Sequence, residues 1–325
     1  MIKLLKIAFL SFGIVLTGAA VAQSNLTEEE KEKFENGIGP EKAETDTVWK
    51  LGGTAGLNIS QSYFSNWAAG GQNTFSFTAI TSLFAKYNKG KHSWETTLDM
   101  AYGQLSQGDN DPIKTDDRFD LTSKYGIQAN HPHWYYSILF NFRTQFAPGY
   151  EIEDGDELEP KISDLLAPAY ALLSPGLDYK PNDKFSALIS PITVKTTIVL
   201  EDTLATDYGV DQGENVRFEP GAFIKLQYQD DIAENVNLLT RLDLFTNYAE
   251  NFGNIDVNWE VLLTLKVNSW LNTTITTQLL YDDDINIGQR PPVIGENGEI
   301  IDPGVSGGPR TQFREVLAVG LTAKF

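Results

Sequence analysis

Cysteine is absent from the 325-residue sequence, and two other common features are scarce or missing. Without cysteine, the chain has no disulfides, no thiol chemistry and no lipid-anchoring cysteine after an export signal. Beyond the first 22 residues, no segment reaches the ~18 apolar residues of a membrane helix. Basic residues are few, with 25 Lys and Arg against 44 Asp and Glu. The net charge of −19 argues against nucleic acid as a partner, because phosphate binding requires a basic patch.

Two segments at the start of the chain lie outside the predicted fold. Residues 1–22 combine two lysines, a short apolar core and an A-x-A pattern ending at Ala22, which is typical of a signal peptide. We therefore expect export, with the mature protein beginning at Gln23. Residues 23–47 are polar and rich in glutamate, which predicts a solvated periplasmic arm.

From residue 48 onwards, apolar and polar residues alternate with a period of two. This pattern predicts β-strands with one apolar and one polar face. In the clearest strand, Tyr136, Ile138 and Phe140 share a face opposite Asn141 and Arg143. Prolines interrupt the sixth and seventh strands, which blurs their limits. The twelve predicted strands span residues 49–60, 73–87, 92–106, 117–130, 133–147, 164–179, 184–199, 216–229, 234–248, 255–267, 270–282 and 311–325.

The lengths of the connections predict the architecture. Every second connection is short, as at 88–91 and 268–269, whereas the others are mostly long, as at 148–163 and 283–310. Tight turns at one end and long loops at the other are typical of barrels in the outer membrane of Gram-negative cells. We therefore predict an all-β fold, a transmembrane antiparallel up-and-down β-barrel of twelve strands over residues 48–325. An even strand number places both chain ends in the periplasm and the long acidic loops outside.

Aromatic residues mark both ends of the predicted strands. Trp49 and Trp134 lie near short turns, whereas Phe119 and Phe218 lie near long loops. Two such girdles are what a barrel needs at the two membrane interfaces. The last strand alternates up to Phe325, and it resembles the C-terminal assembly signal of bacterial outer-membrane proteins. The expected partners are therefore outer-membrane lipid and the barrel assembly machinery, which would read Phe325.

Several stretches spread over almost the whole mature chain carry a family resemblance. Among them are LNISQSYFSNWAAGGQNTFS at 57–76, TDDRFDLTSKYGIQ at 115–128 and NIDVNWEVLLTLKVN at 254–268. These stretches resemble a family of uncharacterised outer-membrane barrels from Bacteroidota, filed as domain of unknown function 3078. The resemblance implies an outer-membrane location and a barrel fold. It transfers no catalytic residues, because no chemistry is established for the family.

Candidates for catalysis and metal binding are weak. An esterase in a barrel would need a histidine base, and His92, His131 and His133 all lie at predicted periplasmic turns. Neither a G-x-S-x-G elbow nor an H-E-x-x-H motif occurs. The acidic runs 109–111 and 282–284 offer oxygen ligands without EF-hand spacing. We therefore predict no enzyme activity, no metal site and no cofactor.

The first long loop combines aromatic with amide side chains. Tyr63, Phe64 and Trp67 occur there beside Asn66 and Gln72. Such a combination binds sugars or folds inward as a constriction. An interface girdle followed by a Gly-rich turn explains the same residues. Both interpretations stay open at the level of sequence.

Charged residues on the polar strand faces are predicted to line the lumen. Such charges either filter solutes or pair into a network that fills the interior. Their near-balance of sign argues against strong ion selectivity. Twelve strands fall between the filled barrels of eight and the open barrels of 16–18. The predicted lumen-facing charged residues are Glu95, Asp99, Asp120, Lys124, Arg143, Glu219, Lys225, Arg241, Asp243, Glu260, Lys266 and Arg314.

Three functions follow from this prediction, in decreasing order of support. The first is a narrow, porin-like channel for small polar solutes, which involves no covalent chemistry. The second is a non-conducting structural or interaction barrel, whose acidic outer loops meet partners or lipid. The third is an outer-membrane esterase or phospholipase.

Overall fold

The structure is a computed structural model, and it describes residues 48–65, 68, 71–153, 156–250, 252–283, 293–294, 300–302 and 308–324. The predicted signal peptide, the polar arm, Trp67 and Phe325 lie outside the described residues. Within the described residues, no helix is long and apolar enough to cross a membrane.

Sixteen β-strands occur in the described part of the chain, and twelve of them build the barrel. The barrel strands are β1 (Trp49–Ser62), β2 (Thr74–Lys89), β3 (His92–Gln107), β4 (Ile113–Gln128), β5 (Trp134–Thr144), β8 (Ala169–Asn182), β9 (Phe185–Ile198), β10 (Val216–Ala233), β11 (Val236–Asn247), β12 (Asp256–Lys266), β13 (Leu271–Tyr281) and β16 (Gln312–Lys324). The other four form two hairpins in loops, namely β6 (Gly149–Glu153) with β7 (Asp156–Ser163), and β14 (Val293–Ile294) with β15 (Ile300–Asp302).

The barrel strands pair in sequence order, each antiparallel to the next, and β16 closes the barrel against β1. The predicted fold class, a closed up-and-down barrel of twelve antiparallel strands, is therefore confirmed. Short connections join β2 to β3, β4 to β5, β8 to β9, β10 to β11 and β12 to β13. The start of β1 lies at this same end of the barrel, because the Asn88 amide donates to the Val48 carbonyl. We call this end the short-turn end and the opposite one the long-loop end.

The predictions for the sixth strand and for the connection before it were wrong. The sixth strand was expected at 164–179, but β8 begins at Ala169. The residues before it form a tight turn instead, in which Asp164 and Ala167 exchange backbone hydrogen bonds ahead of Pro168. The connection predicted as an open loop at 148–163 contains the β6–β7 hairpin. Neither feature has an alternation long enough to distinguish it from a loop.

Prolines explain why the sixth and seventh strands looked weak. Pro175 cannot donate a ladder hydrogen bond, and the register between β8 and β9 shifts between Leu173 and Leu177. The Ser190 hydroxyl donates to the Pro175 carbonyl at 2.7 Å, which satisfies an acceptor that the ladder leaves out. Gly176 is required at this shift, because a Cβ there would lie 2.3 Å from the Ile189 carbonyl oxygen.

The outer surface of the barrel is apolar. Along β5, Tyr136, Ile138 and Phe140 are exposed, whereas Ser137 and Leu139 between them are buried. Aromatic residues meet near the short-turn end, where the ring centroids of Trp49 and Tyr87 are 5.0 Å apart. Further outward-facing apolar side chains that are exposed include Leu51, Ile59, Phe75, Leu173, Leu177, Ile189, Phe218, Trp259, Phe313, Leu317 and Val319.

Candidate functional site

Two ion pairs cross the barrel interior from one side to the other. Arg118 on β4 donates from Nη1 to Oε1 of Glu260 on β12 at 3.1 Å. Arg241 on β11 donates from Nη1 to Oδ2 of Asp99 on β3 at 3.4 Å. In each case the two strands lie six steps apart around the twelve-stranded barrel, and so on opposite sides. These side chains therefore meet inside the lumen, and we call the two contacts the cross-lumen pairs.

Neighbouring charges extend the cross-lumen pairs into a network. Arg143 on β5 lies 3.0 Å from Asp120 on the adjacent strand and 3.0 Å from Asp243, four strands away. The Nζ atom of Lys225 lies 2.8 Å from Oδ1, the other carboxylate oxygen of Asp243. Every carboxylate in this network faces at least one cation, as the cost of removing charges from bulk water requires.

One side of the interior is packed like a soluble core. Leu139, Leu188, Phe223 and Phe245 form a buried cluster on adjacent strands, with Leu172 against it. Small hydroxyls fill the space beside this cluster: Thr193 donates to Ser174 at 3.0 Å, and its hydroxyl lies 2.8 Å from that of Ser190. We call the inner faces of β5, β8, β9, β10 and β11 the packed wall.

The opposite side of the interior is not filled. Three apolar side chains that face the lumen there are more than a third exposed: Ile80 (36%), Phe84 (38%) and Val316 (37%). Their inward direction follows from the register, since Phe84 lies opposite Thr97 on the same face as Asp99. We call the inner faces of β16, β1 and β2 the open wall. Its other inward residues are mostly small, namely Gly52, Thr54, Gly56, Asn58, Thr78, Ser82, Ala318, Gly320 and Thr322.

Near the long-loop end, carboxylates surround a single lysine. Lys195 on β9 lies 2.9 Å from Asp256, 3.3 Å from Asp282 and 3.7 Å from Glu219. Glu219 is almost fully buried and also accepts from the Asn247 amide at 3.4 Å. Arg314 on β16 reaches Asp116 on β4 across the mouth at 2.8 Å. Arg217 also lies 3.6 Å from Glu219, so Glu219, Asp256 and Asp282 share two cations, and this mouth carries an excess of acidic groups.

The loops on one side of that mouth fold into a small second core. Ala167, Val199, Leu204, Ala205 and Val210 are buried together. The segment includes a 3-10 helix at Ala205–Tyr208, and burial raises the pKa of Tyr208 to about 12. The Tyr208 hydroxyl donates to the Ile162 carbonyl at 2.8 Å, which ties this core to the β6–β7 hairpin. We call this cluster the loop core.

An ion triad at the surface holds the same loops together. Lys161 lies 2.7 Å from Asp164 and 2.6 Å from Glu201. Its hydrogen bonds lower the pKa of both carboxyl groups. The two carboxylates in turn raise the pKa of Lys161. The triad therefore favours the charged forms of all three groups near neutral pH.

The structure places most of the predicted lumen residues in ion pairs. Besides those already described, Glu95 lies 2.7 Å from Lys86, and Lys124 lies 2.8 Å from the buried Asp178. Lys266 is the exception, since it makes no ion pair with any residue that the structure describes. The predicted residues that do take part are Glu95, Asp99, Asp120, Lys124, Arg143, Glu219, Lys225, Arg241, Asp243, Glu260 and Arg314.

Four important residues were missing from the predicted set. Asp116 was placed in a loop, because β4 was expected to begin four residues later than it does. Arg118 lies on the polar face of the predicted strand, so the alternation alone could have identified it. Asp178 and Lys195 lie on the two strands whose pattern is interrupted by proline.

The other candidate residues do not form a common site in the described part of the chain. Tyr63 is exposed, and the Phe64 ring packs over Gly71, whereas Trp67 lies outside the described residues. His92 hydrogen-bonds through Nδ1 to the Tyr125 hydroxyl at 2.7 Å. Among the described residues, no group of His, Asp or Glu side chains could hold a metal ion.

Comparison with known proteins gives one family match. The model of the family described as "Protein of unknown function (DUF3078)" matches residues 59–150, which is less than a third of the chain. The predicted resemblance is confirmed for that part, whereas the Bacteroidota origin stays a prediction. No curated protein matches.

Solved structures with similarity to the chain are outer-membrane proteins. The COG4313 outer membrane channel from Pseudomonas putida F1 has 14% identity and a TM-score of 0.37, covering 89% of this chain and all of that one. The translocator domain of autotransporter NalP from Neisseria meningitidis has 10% identity and a TM-score of 0.28, covering 96% and 98%. Salmonella typhi OmpF in complex with daunomycin has 11% identity and a TM-score of 0.27, covering 85% and 97%. At these values, no function is carried over to this chain.

Proposed function

We propose that the chain is an outer-membrane barrel with a narrow passage for small polar solutes along the open wall. The exterior supports the membrane location, because a largely apolar outer surface with aromatic residues at the short-turn end is typical of a lipid-facing band. The shortest barrel strands have 11 residues, which meets the ~9–11 needed to span a bilayer when tilted. The short turns then lie in the periplasm and the long loops outside.

The proposal of a passage rests on one observation, namely that apolar side chains facing the lumen are partly exposed to solvent. Ile80, Phe84 and Val316 point inward and yet stay more than a third exposed. A packed interior leaves few voids larger than a water molecule, so the open wall borders accessible space. The Arg118 side chain is also 39% exposed, which places that space beside the cross-lumen pairs.

The cross-lumen pairs limit what can pass. They bridge opposite strands at hydrogen-bond distance and so leave no wide central pore. A solute would move beside them, between fixed charges of both signs and the small side chains of the open wall. Size and polarity would therefore govern passage more than the sign of charge.

A planar lipid bilayer tests the proposal directly. Purified, folded full-length protein should produce small conductance steps in potassium chloride. Added sugars small enough to enter should reduce the step size. A bilayer that stays silent, although labelling shows inserted barrels, would contradict the passage.

A second candidate, a non-conducting structural barrel, is favoured by one observation. The packed wall and the cross-lumen pairs together satisfy much of the interior, as in a folded core. A non-conducting barrel would give no conductance steps in the planar bilayer, so the same experiment separates the two candidate functions. Interaction partners would then meet the acidic outer loops.

A further inference from the structure

A row of charged residues crosses four neighbouring strands near the short-turn end. Lys50 on β1 lies directly opposite Lys86 on β2, which lies opposite Glu95 on β3, which lies opposite Lys124 on β4. Residues directly opposite one another point to the same face of a sheet. Because Glu95 is on the inward face with Asp99, the whole row lines the lumen. We call it the lysine row.

Positive charge exceeds negative charge in this region. Lys86 pairs with Glu95 at 2.7 Å, while Lys124 and Lys180 share Asp178 at 2.8 and 3.3 Å. Lys50 makes no ion pair with any residue that the structure describes. Like charges directly opposite one another on adjacent strands repel. The Lys50–Lys86 position is therefore one that an added anion would stabilise.

The choice of residue also differs from that in the cross-lumen pairs. The cross-lumen pairs use arginine, whose planar guanidinium suits fixed pairing with carboxylates. The lysine row has no arginine. An ammonium is a compact charge with three rotatable donors, and it binds oxyanions as a point charge. Both the charge balance and the donor type thus differ from those of the cross-lumen pairs.

The row is accessible from the short-turn mouth. Lys50 is exposed, and the Lys86 side chain is 45% exposed although it pairs with Glu95. The long-loop mouth carries the opposite excess, with Glu219, Asp256 and Asp282 around Lys195. The balance of charge therefore favours an anion at the short-turn end over the long-loop end.

We propose that the lysine row is a binding site for small oxyanions of the phosphate class, centred between Lys50 and Lys86. The inference deepens the proposed function by naming a class of solute, and it rests on that function only for the route by which the anion enters. Binding itself needs only the folded barrel, so it can be measured without conductance.

Calorimetric titration of the full chain in detergent with inorganic phosphate, at low ionic strength, tests the site. The double variant Lys50→Gln/Lys86→Gln should bind phosphate at least about tenfold more weakly, because two charge-assisted hydrogen bonds are lost. The matched control is Lys89→Gln/Lys91→Gln, which removes the same charge from the exposed end of β2 and the turn that follows it. The control should bind as the wild type does. Equal affinity in both double variants, or no binding by the wild type, would overturn the inference.

A third variant distinguishes the loss of the binding site from a folding defect. Lys50→Glu places a carboxylate directly opposite Lys86, an arrangement that favours strand pairing. This variant should keep the heat-modifiable mobility of a folded barrel while losing phosphate binding. A folded Lys50→Glu protein that binds phosphate like the wild type would contradict the site.

The outcomes for the two proposals are separable. Phosphate binding that depends on Lys50 and Lys86, in a protein that never conducts, would uphold this site and reject the passage. Conductance without such binding would do the reverse.

Discussion

Arg118 and Glu260 belong to strands on opposite sides of the barrel, and their side chains meet at 3.1 Å. Because this ion pair directly crosses the lumen, the interior has no room for a wide central pore. Glu260 also lies 3.6 Å from Arg241, which in turn reaches Asp99. Two arginines and two carboxylates thus form a chain of alternating charge across the lumen.

Removing one arginine from this row of alternating charges should change the ion preference of the passage. Arg241→Ala leaves Asp99 and Glu260 with less positive charge nearby, so cations should be favoured over anions. The shift in permeability ratio should be up to about fivefold, since one charge at close range in water-like surroundings contributes about 1 kcal/mol. Reversal potentials in a salt gradient measure it.

The control for this experiment is Arg310→Ala. It removes the same charge from an exposed position just before β16, away from the cross-lumen pairs. An equal shift in both variants would mean that net charge, and not the lumen position, governs selectivity.

The packed and open walls should differ in their response to truncation. Phe223 is 5% exposed within the packed wall, so Phe223→Ala should destabilise the barrel by about 3–5 kcal/mol. Ile80→Ala on the open wall should cost far less, because Ile80 is already 36% exposed. Urea titration of the protein in lipid vesicles measures the free energy of unfolding of both variants. Similar losses would show that the open wall is packed as tightly as its opposite.

Low pH should destabilise the loop core. Asp164 and Glu201 have pKa values below their ordinary ones because Lys161 donates hydrogen bonds to them. A depressed folded-state pKa adds stability above the unfolded value, and this is lost as pH falls through the folded value. Protection of the Val210 amide, which donates to the Ala205 carbonyl, should therefore decrease below about pH 4. Hydrogen exchange, corrected for intrinsic rates, measures this protection.

Lys161→Met provides the control for the acid effect. Without the lysine, the loop core should already be less protected at neutral pH, and the additional loss in acid should be small. An acid response in Lys161→Met as large as that of the wild type would assign the effect to other groups.

The absence of cysteine makes the sidedness testable with single substitutions. Glu214 is exposed in a long loop and Asn130 in a short turn. Glu214→Cys should react with a membrane-impermeant thiol reagent on whole cells, whereas Asn130→Cys should react only after lysis. The opposite pattern would invert the proposed orientation.

The strands and their faces could be predicted because a barrel wall separates two solvents. Side chains on β12, for example, point alternately outward and into the lumen, so the sequence itself indicates that Trp259 faces outward and Glu260 faces inward. The prediction failed where this rule is broken locally. Pro175 and Pro191 interrupt the alternation, which hid the inward positions of Asp178 and Lys195.

Partners across the lumen could not be predicted by the same route. Alternation assigns Arg118 to a face, but it does not say which strand lies opposite, because that depends on how the sheet closes and staggers. Pairs on adjacent strands, by contrast, follow from the register alone, and Arg241 with Glu260 is one of them at 3.6 Å. Lys266 was predicted to face the lumen, and it has no ion-pair partner among the described residues.

The most direct measurement of the central claim is single-channel conductance of two neighbouring tryptophan variants. Ile80 faces the lumen on the open wall, and Thr81 is the next residue on β2, facing outward. Ile80→Trp should narrow the passage and lower the conductance step, whereas Thr81→Trp should leave the step unchanged. Equal steps in Ile80→Trp, Thr81→Trp and the wild type would contradict a passage along the open wall.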